Sequence, residues 1–507
     1  MSQKIKTLPE LRQIIAKHQA DGKRVVQSHG VFDLLHVGHI KHLQEAKAKG
    51  DILVVTVTPD EFVHKGPNRP AFPIALRLEA LAALEVVNFV AANKWENAVE
   101  TIKQIRPDVY CKGPDYQEHG DDLTGKITEE EDAVVSIGGA INYTSGVTFS
   151  SSNLLNEYGN VFDDAQKKFI EQVTSKWNFN ETLEAVENLR DLRVLVLGES
   201  IIDQYVFCEA LGKSGKEPVL VLRELQTQQY AGGAAAIAQH LSEFCQEVTL
   251  LSMLGEKGEY ENFLRNGLPD NVSASFIKKK GAPTIVKKRF VDTVSRNKTL
   301  GVYSIDDSPL ESAQQVELTA MLDKLIKSHD LLIVSDYGHG FISSTIAKAI
   351  STANIFCSLN AQVNAANIGY HTMNNYCGVD CAIINEGELR HEFRDRQSTV
   401  TDLAKRLLES LRAQHLVVTQ GSSGASLYRA DGDGLHSCPA FAGKVVDKVG
   451  SGDAMLALLS CCLYNKVDCD LSLLIGSLAA AQIVETVGNS APVQKVQLLK
   501  ALQSIAK

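Results

Sequence analysis

Apolar and polar positions alternate between short strand-like runs and longer helical repeats along most of the chain. A first apolar run ends at Ser28, Gly30 interrupts it, and apolar residues such as Ile40 and Leu43 then recur at the spacing of a helix face. The same succession returns from Leu192–Gly198 onward. Strands that alternate with helices indicate a mostly parallel sheet covered on both faces. The predicted fold class is therefore α/β.

The alternation pauses between Glu157 and Asp191, where the sequence is charged and helix-prone. Phe162, Phe169 and Val173 share one side of the predicted helix, and a flexible linker would not need such large apolar residues. We therefore predict three segments: a first domain over 1–156, a helical connection over 157–190, and a second domain over 191–507.

Composition and charge exclude a general polyanion binder. The 507 residues are 44% hydrophobic and 22% charged, and their formal net charge is −10. This length allows two or three domains with their own cores. Nucleic-acid and membrane-surface binders need a basic face, so we expect neither partner. Anionic substrates must instead be held by local sites.

Neither targeting segments nor disulfides are expected. The stretch Met1–Lys23 is charged throughout, and the apolar stretch Ala454–Leu463 is too short to span a bilayer. We therefore expect a cytoplasmic protein. The ten cysteines contain no C-x-x-C pair. Free thiols in the core are thus favoured over a zinc site or a disulfide framework.

The first chemically informative stretch is S-H-G-V-F-D-L-L-H-V-G-H over 28–39, which lies at a predicted strand-to-helix turn. The N–H groups that open a helix, together with its dipole, favour an anion. His36 and His39 would lie beside that positive end, and Gly38 leaves room for a phosphate. Nucleotidyl transfer needs such donors at the α-phosphate while pyrophosphate leaves. Ordinary polar residues at a helix start, or a metal-binding histidine pair, are the alternatives.

The stretch resembles the signature of the cytidylyltransferase-like nucleotidyltransferases, and the likeness continues for about 120 residues. In that family a serine and threonine run opens a helix and holds the triphosphate, which Ser150, Ser151 and Ser152 match. A simple helix-capping cluster is compatible with that role. The resemblance implies a Rossmann-like domain with ATP or CTP as nucleotidyl donor. The further nucleotide- or phosphate-binding residues that it implies are Gly30, Phe32, Asp33, Gly38, Lys47 and Lys112.

The second informative stretch is V-D-K-V-G-S-G-D over 446–453. Gly450, Ser451 and Gly452 make a turn whose backbone can lie against an anion, and a helix follows. Asp453 would accept the proton of an attacking hydroxyl while the N–H groups stabilise the transferred phosphoryl. This is the chemistry of a sugar kinase. A loop with a capping aspartate is the alternative.

The region from about residue 191 to 501 resembles the ribokinase, or PfkB, family, with its motifs in family order. The resemblance implies a ribokinase-like α/β domain, ATP as phosphate donor and Mg²⁺ as cofactor. The implied substrate-binding residues are Asp203, Gly232, Gly233 and Asp336, although Glu199 replaces a family aspartate. Asn385 and Glu388 would act indirectly around Mg²⁺. The implied nucleotide loop and anion hole comprise Thr419, Gly421, Gly424, Asp447, Gly450, Ser451, Gly452 and Gly488.

Fusion of these two domain types is similar to the bifunctional ADP-heptose synthases, in which the kinase comes first. We expect the reverse order here. Three departures lie on the sugar side: Ala236 replaces an asparagine, His339 replaces a lysine, and the stretch 358–369 replaces an aspartate-proline-lysine strand end. Loss of an amide that binds a hydroxyl weakens or redirects sugar binding. We therefore expect an active kinase with a changed sugar.

The expected function is a bifunctional enzyme of nucleotide-sugar biosynthesis. One site would phosphorylate a sugar or sugar phosphate, with Asp453 as base, and the other would transfer a nucleotidyl group to a sugar or polyol phosphate through His36 and His39. Small-molecule substrates and a homodimer are expected. The alternative is a nucleotidyltransferase whose kinase-like domain has a regulatory or oligomerising role.

Overall fold

The computed structural model describes residues 2–63, 69–113, 126–144, 162–364, 367–432 and 434–506. The chain divides into two compact units, which we describe separately. The first comprises Met1–Asp163 with Leu499–Lys507, and the second comprises Asp164–Leu498.

The first unit is built on five parallel strands in the order β3-β2-β1-β4-β5. Fully buried residues such as Val26, Leu43 and Leu53 join the sheet to its helices. Because the strands are parallel, their carboxyl ends share one edge of the sheet, and the central strand ends there at Gly30. The strands are β1 (Val25–Gly30), β2 (Ile52–Val57), β3 (Phe89–Ala92), β4 (Val109–Lys112) and β5 (Ala140–Tyr143), and the helices are α1 (Leu8–Ala20), α2 (Val37–Lys47), α3 (Ile74–Ala82), α4 (Val99–Ile105) and α5 (Lys126–Ser136).

The predicted helical connection contains two helices, α6 (Asp164–Thr174) and α7 (Phe179–Glu187), which belong to the second unit. The Phe169 ring lies 6.4 Å from that of Phe441, and Lys176 Nζ lies 2.9 Å from the buried carboxylate of Asp470. The apolar stripe of α6 therefore packs on the second unit, as large apolar side chains require.

The second unit contains a nine-stranded sheet in the order β10-β9-β6-β13-β14-β15-β16-β17-β18, antiparallel only at its β16-β17-β18 end. Its strands are β6 (Arg193–Gly198), β9 (Glu247–Gly255), β10 (Val272–Lys279), β13 (Leu331–Asp336), β14 (Phe356–Ala361), β15 (Cys381–Asn385), β16 (His415–Thr419), β17 (Ala425–Arg429) and β18 (Leu435–Cys438).

A separate four-stranded sheet has the order β12-β11-β7-β8. Its strands are β7 (Ser200–Lys213), β8 (Leu220–Gly233), β11 (Val286–Asp292) and β12 (Lys298–Ser304). The remaining helices are α8 (Ala234–Leu241), α9 (Glu261–Gly267), α10 (Ser312–Ile326), α11 (Ser344–Ser351), α12 (Glu386–Phe393), α13 (Val400–Leu411), α14 (Ser451–Tyr464), α15 (Cys469–Val484) and α16 (Lys495–Ala506).

All ten cysteines lie in the described ranges and carry free thiols, as expected. Within those ranges, no helix has the length and apolar character that crossing a bilayer requires.

We expect the second unit to lose stability in acid because His240 is buried in its neutral form. Its Nδ1 accepts a hydrogen bond from the Val493 N–H at 3.2 Å, and burial lowers its pKa to about 3. Below about pH 6.5 this histidine is protonated in the unfolded chain but stays neutral in the folded chain. The free energy of unfolding therefore falls as the pH falls. Between about pH 7 and about pH 5, His240 lowers the free energy of unfolding by about 2 kcal/mol.

Urea unfolding measures this loss, followed by the fluorescence of Trp177 in a Trp95→Phe background. His240→Asn keeps an acceptor for the Val493 N–H but does not titrate. It should flatten the pH dependence of the unfolding free energy, and an unchanged slope would contradict the assignment.

Candidate active sites

The start of α14 in the second unit is an open helix N-terminus built on glycine. Gly450 is the residue before the helix and has φ 89°, and a Cβ atom there would lie 1.8 Å from Asn489 Oδ1. Only glycine fits this left-handed turn. A Cβ built on Gly452 would meet nothing within 4 Å. The first-turn N–H groups of Ser451, Gly452 and Asp453 are thus placed to receive an anion.

Asp453 lies in this first turn and has the environment of a base that works near neutral pH. The Tyr337 hydroxyl donates to its Oδ1 at 2.7 Å. Burial raises the pKa of Asp453 to about 7, Asp203 adds to the rise, and Tyr337 and Lys287 oppose it. A carboxylate whose pKa lies near the working pH is well matched to proton abstraction.

Asp203 lies beside a buried basic pair on β11. The carboxylate accepts a hydrogen bond from Arg289 Nη1, and the register of the parallel strands places Lys287 opposite Asp203. Lys287 is buried, which lowers its pKa. A Cβ atom on Gly232 would lie 2.3 Å from Asp203 Oδ2, so this glycine makes room for the carboxylate. Two cations next to Asp203 can bind an anionic group of a substrate.

Asp447 is a tethering residue at the loop before α14. Its carboxylate accepts hydrogen bonds from Lys298 Nζ and the Tyr205 hydroxyl, both at 2.6 Å, and from the Gly488 N–H at 3.2 Å. Burial alone would raise the pKa of Asp447, but the bonds from Lys298 and Tyr205 lower it. Gly488 is buried with φ 54° and packs on the Tyr205 ring. Gly488 thus supports Asp447, and its nucleotide contact stays a prediction.

Asp336, for which substrate binding stays a prediction, supports the loop that follows β13. Its carboxylate accepts the Tyr376 hydroxyl at 2.6 Å and the Gly338 N–H at 3.0 Å, and it is almost wholly buried. The neighbouring Glu199, equally buried, accepts backbone N–H groups from the loop that follows β13. These bonds leave Asp336 to hold the loop.

The remaining glycines of the predicted kinase motifs divide into tightly packed and open positions. Gly233 has φ 62°, and a Cβ there would lie 2.4 Å from the Glu199 carbonyl oxygen. Gly424 has φ 94° and approaches the Cys438 carbonyl. At both positions glycine allows two backbone segments to approach more closely than a side chain would permit. Gly421 has φ 58° with nothing within 4 Å of a built Cβ, and it lies two residues after Thr419 at the end of β16. An open loop at this sheet edge suits a nucleotide.

Asn385 and Glu388 fit an indirect role around Mg²⁺. They form a capping box at the start of α12: Asn385 Oδ1 accepts the Glu388 N–H at 2.8 Å, and Glu388 Oε2 accepts the Asn385 N–H at 3.1 Å. Burial raises the pKa of Glu388 to about 7, and Asp453 adds to the rise. Among the described residues no three acidic, histidine or cysteine side chains gather as a metal cage. Mg²⁺ keeps waters and phosphate oxygens as ligands, so the cage is not required.

In the first unit, His36 and His39 stack at the start of α2. Their ring centroids are 4.0 Å apart with an interplanar angle of 29°. His36 is the capping residue, and its Nδ1 accepts the Gly38 N–H at 3.1 Å. His39 Nδ1 lies 3.1 Å from the Leu34 carbonyl oxygen, which assigns the proton to Nδ1. The predicted pair is thus brought together, although the Gly38 N–H is taken by His36 instead of remaining for a phosphate.

Gly30 and Phe32 form the turn that leads into this helix. A Cβ on Gly30 would lie 3.2 Å from the Phe32 ring, and Phe32 itself has φ 50°. The ring lies edge-on to His39 with centroids 5.3 Å apart. Phe32 therefore orients His39 by packing.

Lys47 does not lie near the histidines. It is the last residue of α2, an eleven-residue helix, and so lies about 15 Å along the axis from the helix start. Its Nζ donates to the Asp51 carbonyl and to Asn88 Oδ1. The phosphate contact of Lys47 stays a prediction, although these bonds and its distance from the histidines do not favour it.

Two further residues that were predicted to bind nucleotide or phosphate have protein partners. Asp33 accepts the N–H groups of Ala71 and Phe72, both at 3.0 Å, and therefore shapes that loop. Lys112 Nζ lies 2.7 Å from Glu130 Oε2, and both side chains are buried. Their contacts with protein groups favour positioning roles, and phosphate binding by either residue stays a prediction. Ser150, Ser151 and Ser152 lie outside the described residues.

Comparison with known families assigns both units. Residues 191–496 match the model of the pfkB family carbohydrate kinases. The chain belongs to the pfkB family of carbohydrate kinases. Residues 28–158 match the cytidylyltransferase-like model. The expected Rossmann-like and ribokinase-like α/β pair is thereby confirmed. In this chain the cytidylyltransferase-like domain comes first and the kinase domain second. This order is not a reversed one.

Several curated relatives are bifunctional proteins. The bifunctional protein HldE of Koribacter versatilis is 29% identical over 319 residues, which are 62% of this chain and 64% of that protein. HldE of Campylobacter jejuni is 26% identical over 302 residues, 59% of this chain and 62% of the relative. HldE of Sulfurimonas denitrificans is 44% identical over 115 residues, 22% and 24% of the two chains. The chain spans less than two thirds of the length of these relatives in each match.

A solved structure supports the kinase fold. Phosphofructokinase-2 from Escherichia coli superposes with a TM-score of 0.51 at 16% identity, over 62% of this chain and all of that one. At this identity the likeness shows the fold alone.

The pfkB-family departures lie in the interior of the kinase unit. Ala236 is fully buried in α8. His339 is buried too, and its Nδ1 contacts Asp307 Oδ1 at 2.7 Å. Neither position supplies the polar group that the family has there.

Sequence reasoning missed the residues that surround Asp453 and Asp447. Tyr337 directly follows the predicted site residue Asp336, but the sequence did not predict its hydroxyl contact. The alternating basic residues Lys287 and Arg289 on β11 were a visible signal, because alternate residues share a face of a strand. Lys298 and Tyr205 gave no comparable signal.

Two glycines in one turn lead to opposite expectations. Gly450→Ala forces a left-handed Ala, which costs about 1–2 kcal/mol, and drives Cβ into Asn489, so the melting temperature should fall. Gly452→Ala meets no atom and should melt like the wild type. Its methyl group would mask a first-turn N–H and lower kinase turnover by roughly 100-fold.

Differential scanning calorimetry and an ADP-release assay on the two variants check this pair. Equal melting temperatures for both variants, or full activity of Gly452→Ala, would contradict the geometry of the turn.

Proposed function

We propose that this protein is a bifunctional enzyme of nucleotide-sugar biosynthesis that works in the cytoplasm. Its kinase site would phosphorylate a sugar phosphate with ATP, and its transferase site would join a nucleotidyl group to a sugar or polyol phosphate with release of pyrophosphate. The placement of Asp453 beside the open first turn of α14 carries the kinase half of the proposal. The stacked His36 and His39 at the start of α2 support the other half.

In the kinase step, a substrate hydroxyl gives its proton to the Asp453 carboxylate. The hydroxyl oxygen then attacks the γ-phosphorus of ATP, and the bond to the bridging oxygen of ADP breaks. The N–H groups of Ser451 and Gly452 stabilise the charge on the transferred group. Asn385 and Glu388 would hold the hydrated Mg²⁺, which supplies charge neutralisation at the phosphates when it is bound.

Lys287 and Arg289 support a phosphorylated acceptor. Both lie on β11 next to Asp203, which pairs with Arg289, while Lys287 also attracts the Asp453 carboxylate. Two neighbouring cations can bind an acceptor phosphate through charge-assisted hydrogen bonds in addition to their carboxylate partners. The HldE relatives support a heptose phosphate as the first acceptor to test, while Ala236 and His339 favour a changed sugar.

In the transferase step, His36 Nε2 would donate a hydrogen bond to the α-phosphate, and His39 Nε2 would donate one when both of its ring nitrogens carry protons. The acceptor phosphate oxygen attacks the α-phosphorus, and the bond to pyrophosphate breaks, with no covalent enzyme intermediate. The positive end of α2 stabilises the same charge. ATP and CTP are both candidate donors. Light scattering should give the mass of the homodimer that we propose for the intact chain.

A second candidate is a transferase whose kinase unit is regulatory. The apolar burial of Ala236 and the engagement of His339 with Asp307 favour it, because both remove sugar-binding groups. Its hallmark would be an intact protein that binds ATP but does not consume it with any phosphorylated sugar.

Single substitutions should separate the two activities. Asp453→Asn removes the base and should lower kinase turnover by roughly 100- to 10,000-fold while leaving pyrophosphate release unchanged. His39→Ala should abolish pyrophosphate release and spare the kinase. The readouts are ADP formation with a sugar-phosphate panel and pyrophosphate formation with four nucleoside triphosphates.

Lys47→Ala is the matched control for the transferase because Lys47 lies at the far end of α2, and it should keep pyrophosphate release. A wild-type chain with no sugar-dependent ADP formation would favour the regulatory alternative.

Arg289→Gln should weaken binding of phosphorylated acceptors specifically. Loss of one charge-assisted contact costs about 1.5–3 kcal/mol, so KM for a sugar phosphate should rise roughly 10- to 100-fold. KM for ATP should change little. Lys288→Gln is the control, because Lys288 lies between the two basic residues on the other face of β11. Equal effects of Arg289→Gln on phosphorylated and unphosphorylated sugars would contradict a phosphate site here.

A further inference from the structure

Tyr337 is held at each of its polar atoms. Its N–H donates to Glu199 Oε2 at 2.9 Å, and its carbonyl accepts from Asn364 Nδ2 at 2.8 Å and Asn367 Nδ2 at 2.9 Å. Its hydroxyl donates to Asp453 Oδ1 at 2.7 Å. A buried tyrosine tied at both backbone groups has little freedom to move its hydroxyl.

The residues that hold Tyr337 come from the ends of neighbouring strands. Glu199 directly follows β6, Tyr337 follows β13, and the stretch that contains Asn364 follows β14. These three strands are adjacent and parallel in the nine-stranded sheet. The Tyr337 ring also packs against Gly233, where a Cβ would lie 3.1 Å from Cε2. The sheet edge thus sets the position of the hydroxyl.

This arrangement assigns a structural role to residues at two places where the sequence departs from that of its relatives. Glu199 stands where the family has an aspartate, and its carboxylate fully serves the loop after β13. Asn364 and Asn367 belong to the stretch 358–369, which replaces the aspartate-proline-lysine strand end of the ADP-heptose synthases. Both departures converge on Tyr337, so they support the base indirectly instead of contacting the sugar.

The ionised form of Asp453 is affected by neighbouring charged groups and by the Tyr337 hydroxyl. Asp203 on β7 and Glu388 on α12 repel the ionised carboxylate, and Lys287 on β11 attracts it. The Tyr337 hydroxyl donates the hydrogen bond that favours the ionised form of Asp453. It also occupies Oδ1, so Oδ2 is the oxygen that accepts a proton.

We propose that Tyr337 is a positioning residue for phosphoryl transfer, which holds the Asp453 carboxylate in one orientation and keeps it ready to accept the substrate proton. This inference rests on the proposed kinase function. In the step, the hydroxyl proton passes to Asp453 Oδ2, the hydroxyl oxygen bonds to the γ-phosphorus, and the bond to ADP breaks.

The test is Tyr337→Phe in the full chain, with kcat measured against pH in the presence of ATP, Mg²⁺ and the accepted sugar phosphate. Turnover near pH 7 should fall about 10- to 100-fold, with little change in KM for ATP. Loss of the hydrogen bond raises the pKa of Asp453, so the acidic limb of the profile should move up by about one to two pH units.

Tyr376→Phe is the matched control. It also removes a buried tyrosine hydroxyl from a carboxylate, that of Asp336 at 2.6 Å, but it leaves Asp453 untouched. Its melting temperature should fall while the acidic limb stays in place. An unmoved limb in Tyr337→Phe, or an equal shift in both variants, would overturn the proposal.

A double-mutant cycle keeps the inference separate from the proposed function. Tyr337→Phe, Asp453→Ala and the double variant are compared by their urea unfolding midpoints, which need no activity. Non-additive effects are expected for two groups in contact, and additive effects would overturn the inference. If the wild type showed no kinase activity, the proposed function would fail while the cycle still decided whether the contact exists.

Discussion

The hydrogen-bonding need of the first turn of α14 is the constraint on which the kinase site depends. A helix start leaves backbone donors without carbonyl partners, and here glycine at 450 and 452 keeps them open. The same turn carries Asp453, a negative group at a place that attracts anions. Burial of the Asp453 carboxylate raises its pKa, so its negative charge competes less with an anion at the helix start. Lys287 and the Tyr337 hydroxyl stabilise the ionised form.

The first unit solves a related problem with imidazoles. His36 caps α2 by accepting the Gly38 N–H, so one backbone donor is exchanged for a ring that stacks on His39. The positive end of the helix is thereby extended through two side chains. Ring nitrogens can reorient their protons between donor and acceptor roles, which backbone groups cannot do. Both sites therefore use a helix start, but they place different chemistry around it.

Local features of the two sites were predictable from the sequence. Gly450, Gly452 and Asp453 lie within four residues, and a glycine turn followed by a helix is a local pattern. His36 and His39 are likewise one turn apart. The separation of Lys47 from the histidines was also predictable, because an eleven-residue helix separates its ends by about 15 Å.

Partners from distant segments were not predictable. The Tyr337 and Asp453 contact joins residues 116 apart, and Glu130, the partner of Lys112, lies on a different element, α5. A charged residue at a sheet edge has the same appearance in sequence whether it binds a ligand or a buried counter-ion. Asp33, Asp336 and Lys112 were therefore assigned to ligands, whereas the structure pairs each with protein groups.

The most direct test of two separate phosphate sites is the binding stoichiometry of non-hydrolysable ATP and CTP analogues, measured by calorimetry on the intact chain with Mg²⁺. We expect two nucleotide sites per chain, one lost in Gly452→Val and retained in His39→Ala, and the other showing the opposite behaviour. A single site, or two sites that both survive Gly452→Val, would contradict a phosphate site at the start of α14.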